Sequence, residues 1–440
     1  MSALTPAQPA VPTAATAYLD HAASSPVRPE VLAAVVEVLE AVPGNPSGSH
    51  RWAREARRRL DDARDTVAAL VGAEPGEVVF TSGGTEADNL AVRGVLAAAG
   101  GVAACSAVEH HAVLDTVLAT GGAVLPVDPT GRLDLSRLPA PGPSATPPAP
   151  TLVSVMLANN ETGVVNDLAA VAAAMAERWP GAVLHTDAVA AAAWFDLAER
   201  AAPADLVSLS AHKLGGPKGT GALVVRRGTP LAAVATGGGQ ERERRSGTPN
   251  VAGAVGFAVA LAAAAAERRE LVVRLTDLRA RLLDGLRAGV PDLVITGSSG
   301  ITGSEAVSGD GSGADGTHRS PATLHVCVPG VDREALLFLL DEAGVAASWG
   351  SSCASGAPEP SHVLAAMGVA PDVARGSLRL SLGWSTTVDE VDLAVAVIPA
   401  AVGRLRNTTS NHGPNDAPND SSPRTPDAPP PAPHTTGAAR

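Results

Sequence analysis

The chain has 440 residues, 45% of them apolar, and a formal net charge of −12. This is ample for a large core and two or three domains, and the acidic balance argues against nucleic acid as a primary ligand. Three cysteines, with no CxxC pair and no Cys/His cluster, argue against a zinc site and a disulfide framework and fit a reducing cytoplasm.

The start, MSALTPAQPAVPTAATA, lacks a basic n-region and a Leu-rich core, so no signal peptide is expected and residues 1–17 read as a flexible N-terminus. From about residue 75 to 230, short β-branched runs alternate with Ala/Leu-rich stretches. The expected strands are Glu77–Phe80, Val102–Ser106, Ala123–Val127, Leu152–Leu157, Ala182–Thr186, Leu206–Leu209 and Gly221–Arg226. The expected helices between them are Glu86–Ala99, Ala112–Thr120 and Asp167–Arg178. This is the pattern of an α/β fold: a mostly parallel, seven-stranded sheet with helices on both faces. The last two runs are too close in sequence for a helical crossover, so that pair should be antiparallel.

A long Ala/Leu/Arg helix is expected over about Pro249 to Ala288. Its apolar part, Val251 to Ala266, is shorter than the roughly 20 residues of a membrane span and reads as a buried helix, so no membrane is expected. Strand, helix, loop, helix, strand and helix then follow to about Arg406, a smaller α+β C-terminal domain. The expected boundaries are 18–265 for the large domain and 266–406 for the small one, with residues 18–50 free to pack on the latter. The Gly/Ser-rich stretch 297–321 reads as a flexible insertion, and a cysteine-bearing loop falls near 348–358. Residues 407–440, rich in Pro, Asn, Ser and Thr, read as a disordered tail.

Of 33 basic residues only two, Lys213 and Lys218, are lysine, and both lie in SAHKLGGPKG. Arginine substitutes well on a solvated surface but does not lose its proton, so a retained lysine points to a neutral amine: a general base or a Schiff base. Lys213 falls at a strand edge and Lys218 in the turn, which favours Lys213 as the ligand-facing amine. The stretch TSGGTEAD places Gly84 and Thr85 at a helix N-terminus, an anion site or an ordinary turn capped by Thr85. In HTDA, alternation puts His185 and Asp187 on one face at a strand end, where open α/β sheets bind ligands. Asn159 and Asn160 end another strand, to orient a ligand or to build a turn. A phosphate cup, a strand-end acid and a strand-end lysine on one sheet are together what pyridoxal 5'-phosphate needs. Cys353, in GSSCASG, sits among small residues and is a candidate nucleophile, whereas Cys105 and Cys327 read as buried strand residues.

Ten stretches in order, among them YLDHAASSP, GNPSGSH, FTSGGTEADNLAV, EHHAVLD, NNETGVV, SAHKLGGPKGTGAL, GGGQERERRSGTPN and SSCASGAPEPSHVL, resemble the cysteine desulfurases of the NifS/IscS type, from about residue 18 to 405. These are class V members of the fold-type I pyridoxal-phosphate-dependent transferases. The resemblance implies that Lys213 bonds to the cofactor, Asp187 pairs with its ring nitrogen, and His110 stacks on the ring and shuttles protons. It implies that Gly84, Thr85, Ser210 and His212 hold the phosphate, and that Thr248 reaches the phosphate of the other subunit in a homodimer. It places Asn160 near the ring's phenolic oxygen, Arg379 on the substrate carboxylate with Asn45 assisting, and the transferred sulfur on Cys353. The implied substrate is L-cysteine, the products L-alanine and a persulfide. The implied partner is a sulfur-acceptor protein of iron–sulfur assembly or of tRNA or cofactor thiolation.

Some positions depart from the family pattern. Ala190 stands where a glutamine is usual, Trp384 where arginine is frequent, and Gly48 and Ala53 where serine and glycine are usual. The alternatives are a selenocysteine lyase, another class V aminotransferase, or a non-catalytic scaffold for sulfur assembly. Products separate the enzymes from one another, and a colourless protein would favour the scaffold.

Overall fold

The structure, a computed structural model, describes residues 16–139, 149–297, 319–350 and 361–411. The chain enters through a short strand, β1 (Ala17–Tyr18), and two helices, α1 (Pro29–Ala41) and α2 (Arg51–Leu70). Strands and helices then alternate: β2 (Val78–Thr81), α3 (Gly84–Ala99), β3 (Ala103–Ser106), α4 (His111–Ala119) and β4 (Ala123–Leu125). They continue as β5 (Leu152–Ser154), α5 (Leu168–Arg178), β6 (Val183–Asp187), the single turn α6 (Leu197–Arg200), β7 (Leu206–Ser210) and β8 (Gly221–Val225).

The seven strands β2 to β8 form one sheet in the order β2-β8-β7-β6-β5-β3-β4. All its pairs are parallel except those of β8, which runs against both neighbours. The lysine turn that leads into β8 is too short to return the chain to the other end of the sheet, so β8 must reverse. Val, Leu and Ala dominate the central strands because both faces are covered. Alternation divides their side chains. Phe80, Val153, Leu184, Val207 and Val224 join one core with residues of α2, α5 and the long helix described next. Val79, Cys105, Leu152, Val183, Leu206 and Leu223 join another with Leu90, Val95, Val113 and Val117 of α3 and α4.

Helix α7 (Val251–Gly289) starts where the Asn250 side chain accepts a hydrogen bond from the Gly253 N–H. By length and composition it could cross a membrane, but Ala254, Phe257, Leu261 and Ala264 are buried in the first core. Leu271, Leu275, Leu278, Leu282 and Leu286 belong instead to a separate core. That core is closed by β9 (Val294–Ile295), β10 (Thr323–Cys327), α8 (Arg333–Glu342), β11 (Val345–Ala346), β12 (Ser377–Ser381) and α11 (Val388–Asn411), whereas α9 (His362–Ala366) and α10 (Pro371–Ala374) bury Leu364 and Ala374 in a smaller cluster with Cys327. Strands β12, β10 and β9 form an antiparallel sheet, while β1 pairs in parallel with β11. Ala17 and Leu19 are buried in this second core, so the N-terminal segment packs there.

Three boundaries differ from the sequence reading. Ala17, expected in the flexible N-terminus, is paired with Val345. The far end of the 297–321 insertion is docked, with Arg319 bridged to Val164 and the Ser320 N–H donating to Gly163 O at 2.7 Å. Helix α11 continues to Asn411, past residue 407, beyond the Arg406–Asp292 ion pair at 2.7 Å that anchors its last turns. The remainder of the expected tail lies outside the described residues.

Candidate active site

Six strands of the large sheet point the same way, so their C-terminal ends share one edge. The segments following β2, β3, β5, β6 and β7 deliver Gly84, His110, Asn160, Asp187 and Lys213 to it. Lys213 ends a short helical turn after β7 and is half-buried. It lines a cleft with His21, Asn160, Val189, Ala190, Trp194 and Thr323. Its Nζ donates to Ala22 O and, at 3.0 Å, to Ala23 O. Lys218 is exposed in the turn.

Asp187 is the last residue of β6 and is buried, with Oδ1 accepting from the Val189 N–H at 2.8 Å. Burial pushes its carboxyl up to about 6, against the Val189 N–H and the Lys213 charge, which pull it down. His110 caps α4: its Nδ1 accepts from the Ala112 N–H at 3.1 Å. In the neutral ring the proton therefore sits on Nε2. Burial, and next the Lys213 charge, push this imidazole down to about 4.

Ser210 ends β7, and its buried Oγ has no hydrogen-bond partner among the described residues. Gly83 and Gly84 lie opposite, and a Cβ on Gly84 would meet Val189 Cγ2 at 2.7 Å. The first free N–H groups of α3 thus face an unpaired hydroxyl across a space that any side chain would fill. Helix α3 begins at Gly84, so Thr85 lies inside its first turn and is not the cap. Thr85 is exposed. His212 Nδ1 lies 3.4 Å from Ser24 Oγ, and burial followed by the lysine charges pushes the ring down to about 4.

Of the two adjacent amides, Asn159 builds the turn. Its Oδ1 accepts from the Glu161 and Thr162 N–H groups at 3.0 and 2.8 Å. Asn160 faces the cleft. Arg379, on β12, is almost fully buried, with Nη1 donating to Asn160 O at 3.0 Å and Gly350 O at 3.2 Å, and Nη2 2.8 Å from Asp20 Oδ1.

Asn45 and Thr248 do not line this cleft. Both are exposed, and Asn45 Oδ1 caps its own turn by accepting from the Ser47 N–H. Their neighbours Pro46, Ser47 and Pro249 line a different hollow with Gly238 and Gln240. Cys353 lies outside the described residues. The residues that lead into and out of its segment converge on Glu161: Ser361 Oγ donates to Glu161 Oε2 at 2.6 Å. Gly350, at φ +109, is so close that a Cβ would sit 3.1 Å from the same oxygen. Cys105 and Cys327 are fully buried, and burial raises both thiols, Cys327 to about 12.

Asp20, His21, Trp194, Thr323 and Ser381 were not singled out in the sequence, yet they surround Lys213 or Arg379. Only Asp20 and His21 carried a signal, inside the motif YLDHAASSP.

An open, mostly parallel α/β sheet with a lysine and a buried aspartate at its C-terminal edge is the architecture of the fold-type I enzymes. The class-V aminotransferase profile matches residues 17–394, and the chain belongs to this pyridoxal-phosphate-dependent family. It is 41% identical over 402 residues to an IscS-like cysteine desulfurase of Mycobacterium tuberculosis, covering 89% of this chain and 97% of that protein. Among solved structures, a NifS-like protein superposes with a TM-score of 0.76 at 30% identity, covering 89% of this chain and 100% of the other. SspA in complex with cysteine superposes with a TM-score of 0.65 at 28% identity, covering 83% of this chain and 99% of the other.

Proposed function

We propose that this chain is a cysteine desulfurase that converts L-cysteine to L-alanine and keeps the sulfur as a persulfide on Cys353. The observation that carries the reading is the convergence of Lys213, Asp187, His110 and the Ser210–Gly84 cup on one sheet edge, in a chain whose relatives are cysteine desulfurases. SspA, the structural neighbour, is described with cysteine bound.

The donor set fits pyridoxal phosphate. The unpaired Ser210 hydroxyl and the free N–H groups of α3 suit its phosphate. The Asp187 carboxylate suits its ring nitrogen, and Lys213 is the amine for its aldehyde. When bound, that group draws electrons from the substrate's α-carbon, so the neighbouring C–S bond can break. With alanine at position 190, Asn160 is the amide that lines the cleft and would hold the ring's oxygen.

The chain's own residues do the rest. Arg379 presents a planar guanidinium to the substrate carboxylate. Lys213, uncharged, takes the α-proton and returns it to the same carbon once the C–S bond has broken, which an arginine could not do. His110, near enough to Lys213 to feel its charge, holds a proton at Nε2 for transfer. The Cys353 thiolate attacks the substrate sulfur, the C–S electron pair leaves with the carbon skeleton, and that carbon takes up the proton of the original thiol. Cysteine plus thiol thus becomes alanine plus persulfide, with no outside oxidant. Cys353 lies three positions after Gly350, a reach of at most ~11 Å.

A homodimer gives Thr248 and Asn45 a role at the partner's cleft, since neither lines its own. The sulfur acceptor is a protein of iron–sulfur assembly or of tRNA or cofactor thiolation, and the setting is the cytoplasm. The test is product analysis with L-cysteine. Equal alanine and persulfide in a single turnover supports the reading, and a requirement for a keto-acid acceptor would replace it with an aminotransferase.

A further inference from the structure

The turn that carries Lys213 is held by a distant stretch of chain. The helical turn Ala211–Lys213 stops after one turn, so the carbonyls that follow need partners elsewhere. Four consecutive ones find them in the N-terminal segment. His212 O accepts from the Ser25 N–H at 2.9 Å, and Lys213 O from Ser25 Oγ at 3.0 Å. Leu214 O accepts from Arg28 Nε at 3.0 Å, and Gly215 O from the Arg28 N–H at 2.9 Å. The same segment is anchored in the second core. The Ser381 N–H donates to Leu19 O at 2.8 Å, the His21 N–H to Ser381 O at 3.2 Å and the Ala22 N–H to Ser381 Oγ at 2.9 Å. Residues 19–28 thus strap the lysine turn to that core.

Of the four donors, two are backbone N–H groups and one is an arginine whose Nη1 is held by Glu267 at 2.9 Å. The fourth is a hydroxyl with a single proton and a second neighbour, His21 Nδ1, also at 3.0 Å. On the far side of the ring, Nε2 lies 3.3 Å from Thr386 Oγ1, which accepts from the Gly383 N–H at 2.8 Å. The ring is 3% exposed and fills the space that a side chain on Gly383 would need. Both ends of this row have a fixed sense: the Gly383 N–H can only donate, and Lys213 O can only accept. With the imidazole proton on Nδ1 all four links form, Gly383 to Thr386, Thr386 to His21 Nε2, His21 Nδ1–H to Ser25, and Ser25 to Lys213. With the proton on Nε2, His21 Nδ1 and Lys213 O would compete for the one proton of Ser25.

We propose that His21 is a positioning residue: as the neutral Nδ1–H tautomer it donates to Ser25, commits the Ser25 proton to the Lys213 carbonyl, and so fixes the backbone from which the Lys213 amine reaches the cleft. Burial pushes the imidazole down to about 4, which keeps it neutral at neutral pH. The effect on catalysis rests on the function proposed above, whereas the place of the proton does not.

Nitrogen-15 NMR of the full chain, labelled on histidine, reads the proton directly, with or without cofactor, and His21→Gln identifies the signal by its loss. The wild type should show a neutral His21 ring with its proton on Nδ1. A proton on Nε2, or on both nitrogens, at neutral pH overturns the proposal. Turnover of L-cysteine by the holoenzyme reads the role. Ser25→Ala removes the link to Lys213 O, and His21→Gln removes the donor that holds the Ser25 hydroxyl. Each should lower kcat ~5-fold, the worth of one hydrogen bond, and leave KM unchanged, since Arg379 takes the substrate carboxylate. Because both break one path, the double variant should lose no more than either single one. Unchanged kcat in either variant, a rise in KM in place of a fall in kcat, or losses that multiply in the double variant would overturn the role. If the chain makes no alanine from L-cysteine, the proposed function fails while the NMR result still stands.

Discussion

Buried Arg379 and half-buried Asp20 form an ion pair at 2.8 Å across 359 positions of sequence. Asp20 thus occupies a donor of the residue assigned to the substrate carboxylate, and substrate must compete with it. Asp20→Asn removes the competing charge while keeping an acceptor. The KM for L-cysteine should fall ~5-fold, the value of about 1 kcal/mol for a partly exposed pair. An unchanged or raised KM with normal kcat would remove Arg379 from that role.

Ser210 offers a second test, because its hydroxyl is buried with no partner among the described residues. Ser210→Ala deletes an unsatisfied group, so the cofactor-free protein should lose no thermal stability. The Kd for pyridoxal phosphate should rise ~10-fold, the worth of one hydrogen bond to a charged group. Lost stability with unaltered affinity would place the hydroxyl in the core and not in the phosphate cup.

Lys213 and Lys218 can be separated by chemistry. Lys213 faces the cleft and Lys218 is exposed. Lys213→Ala should abolish both the yellow colour and the covalent trapping of cofactor by borohydride, while Lys218→Ala should keep them. The reverse result would move the Schiff base to the turn.

Stability should depend on pH through His325, which is buried on β10 with Nδ1 2.8 Å from Thr296 Oγ1. Burial, and next the Arg379 charge, push it down to about 3. Below pH 6.5 the unfolded ring takes a proton that the folded ring refuses, so its contribution is lost as pH falls from 6.5 toward 3. Between pH 6.5 and 5 the wild type should lose about 2 kcal/mol more than His325→Gln, read from denaturant midpoints. Equal losses would mean that the folded ring is already charged.

Much of this was legible in the sequence. The seven strand runs lie in the seven strands of the large sheet, because strands covered on both faces leave continuous apolar runs. The antiparallel β8 followed from a turn too short to cross over. Leu152–Leu157 was read one turn too long: β5 ends at Ser154, after which Val155 and Leu157 still donate to His185 O and Asp187 O. Lys213, Asp187 and Asn160 stood out because strand ends and residue scarcity are local signals. Asp20 and Trp194 did not, since their place beside Arg379 or Lys213 depends on the packing of distant segments.

The central claim is that sulfur leaves L-cysteine and stays on Cys353. Mass spectrometry of the intact protein after one turnover, set beside the alanine formed, measures it most directly. The wild type should gain the mass of one sulfur atom per alanine, and Cys353→Ser should keep the cofactor colour but gain no sulfur and release no sulfide. Sulfide release by Cys353→Ser at the wild-type rate would contradict the account.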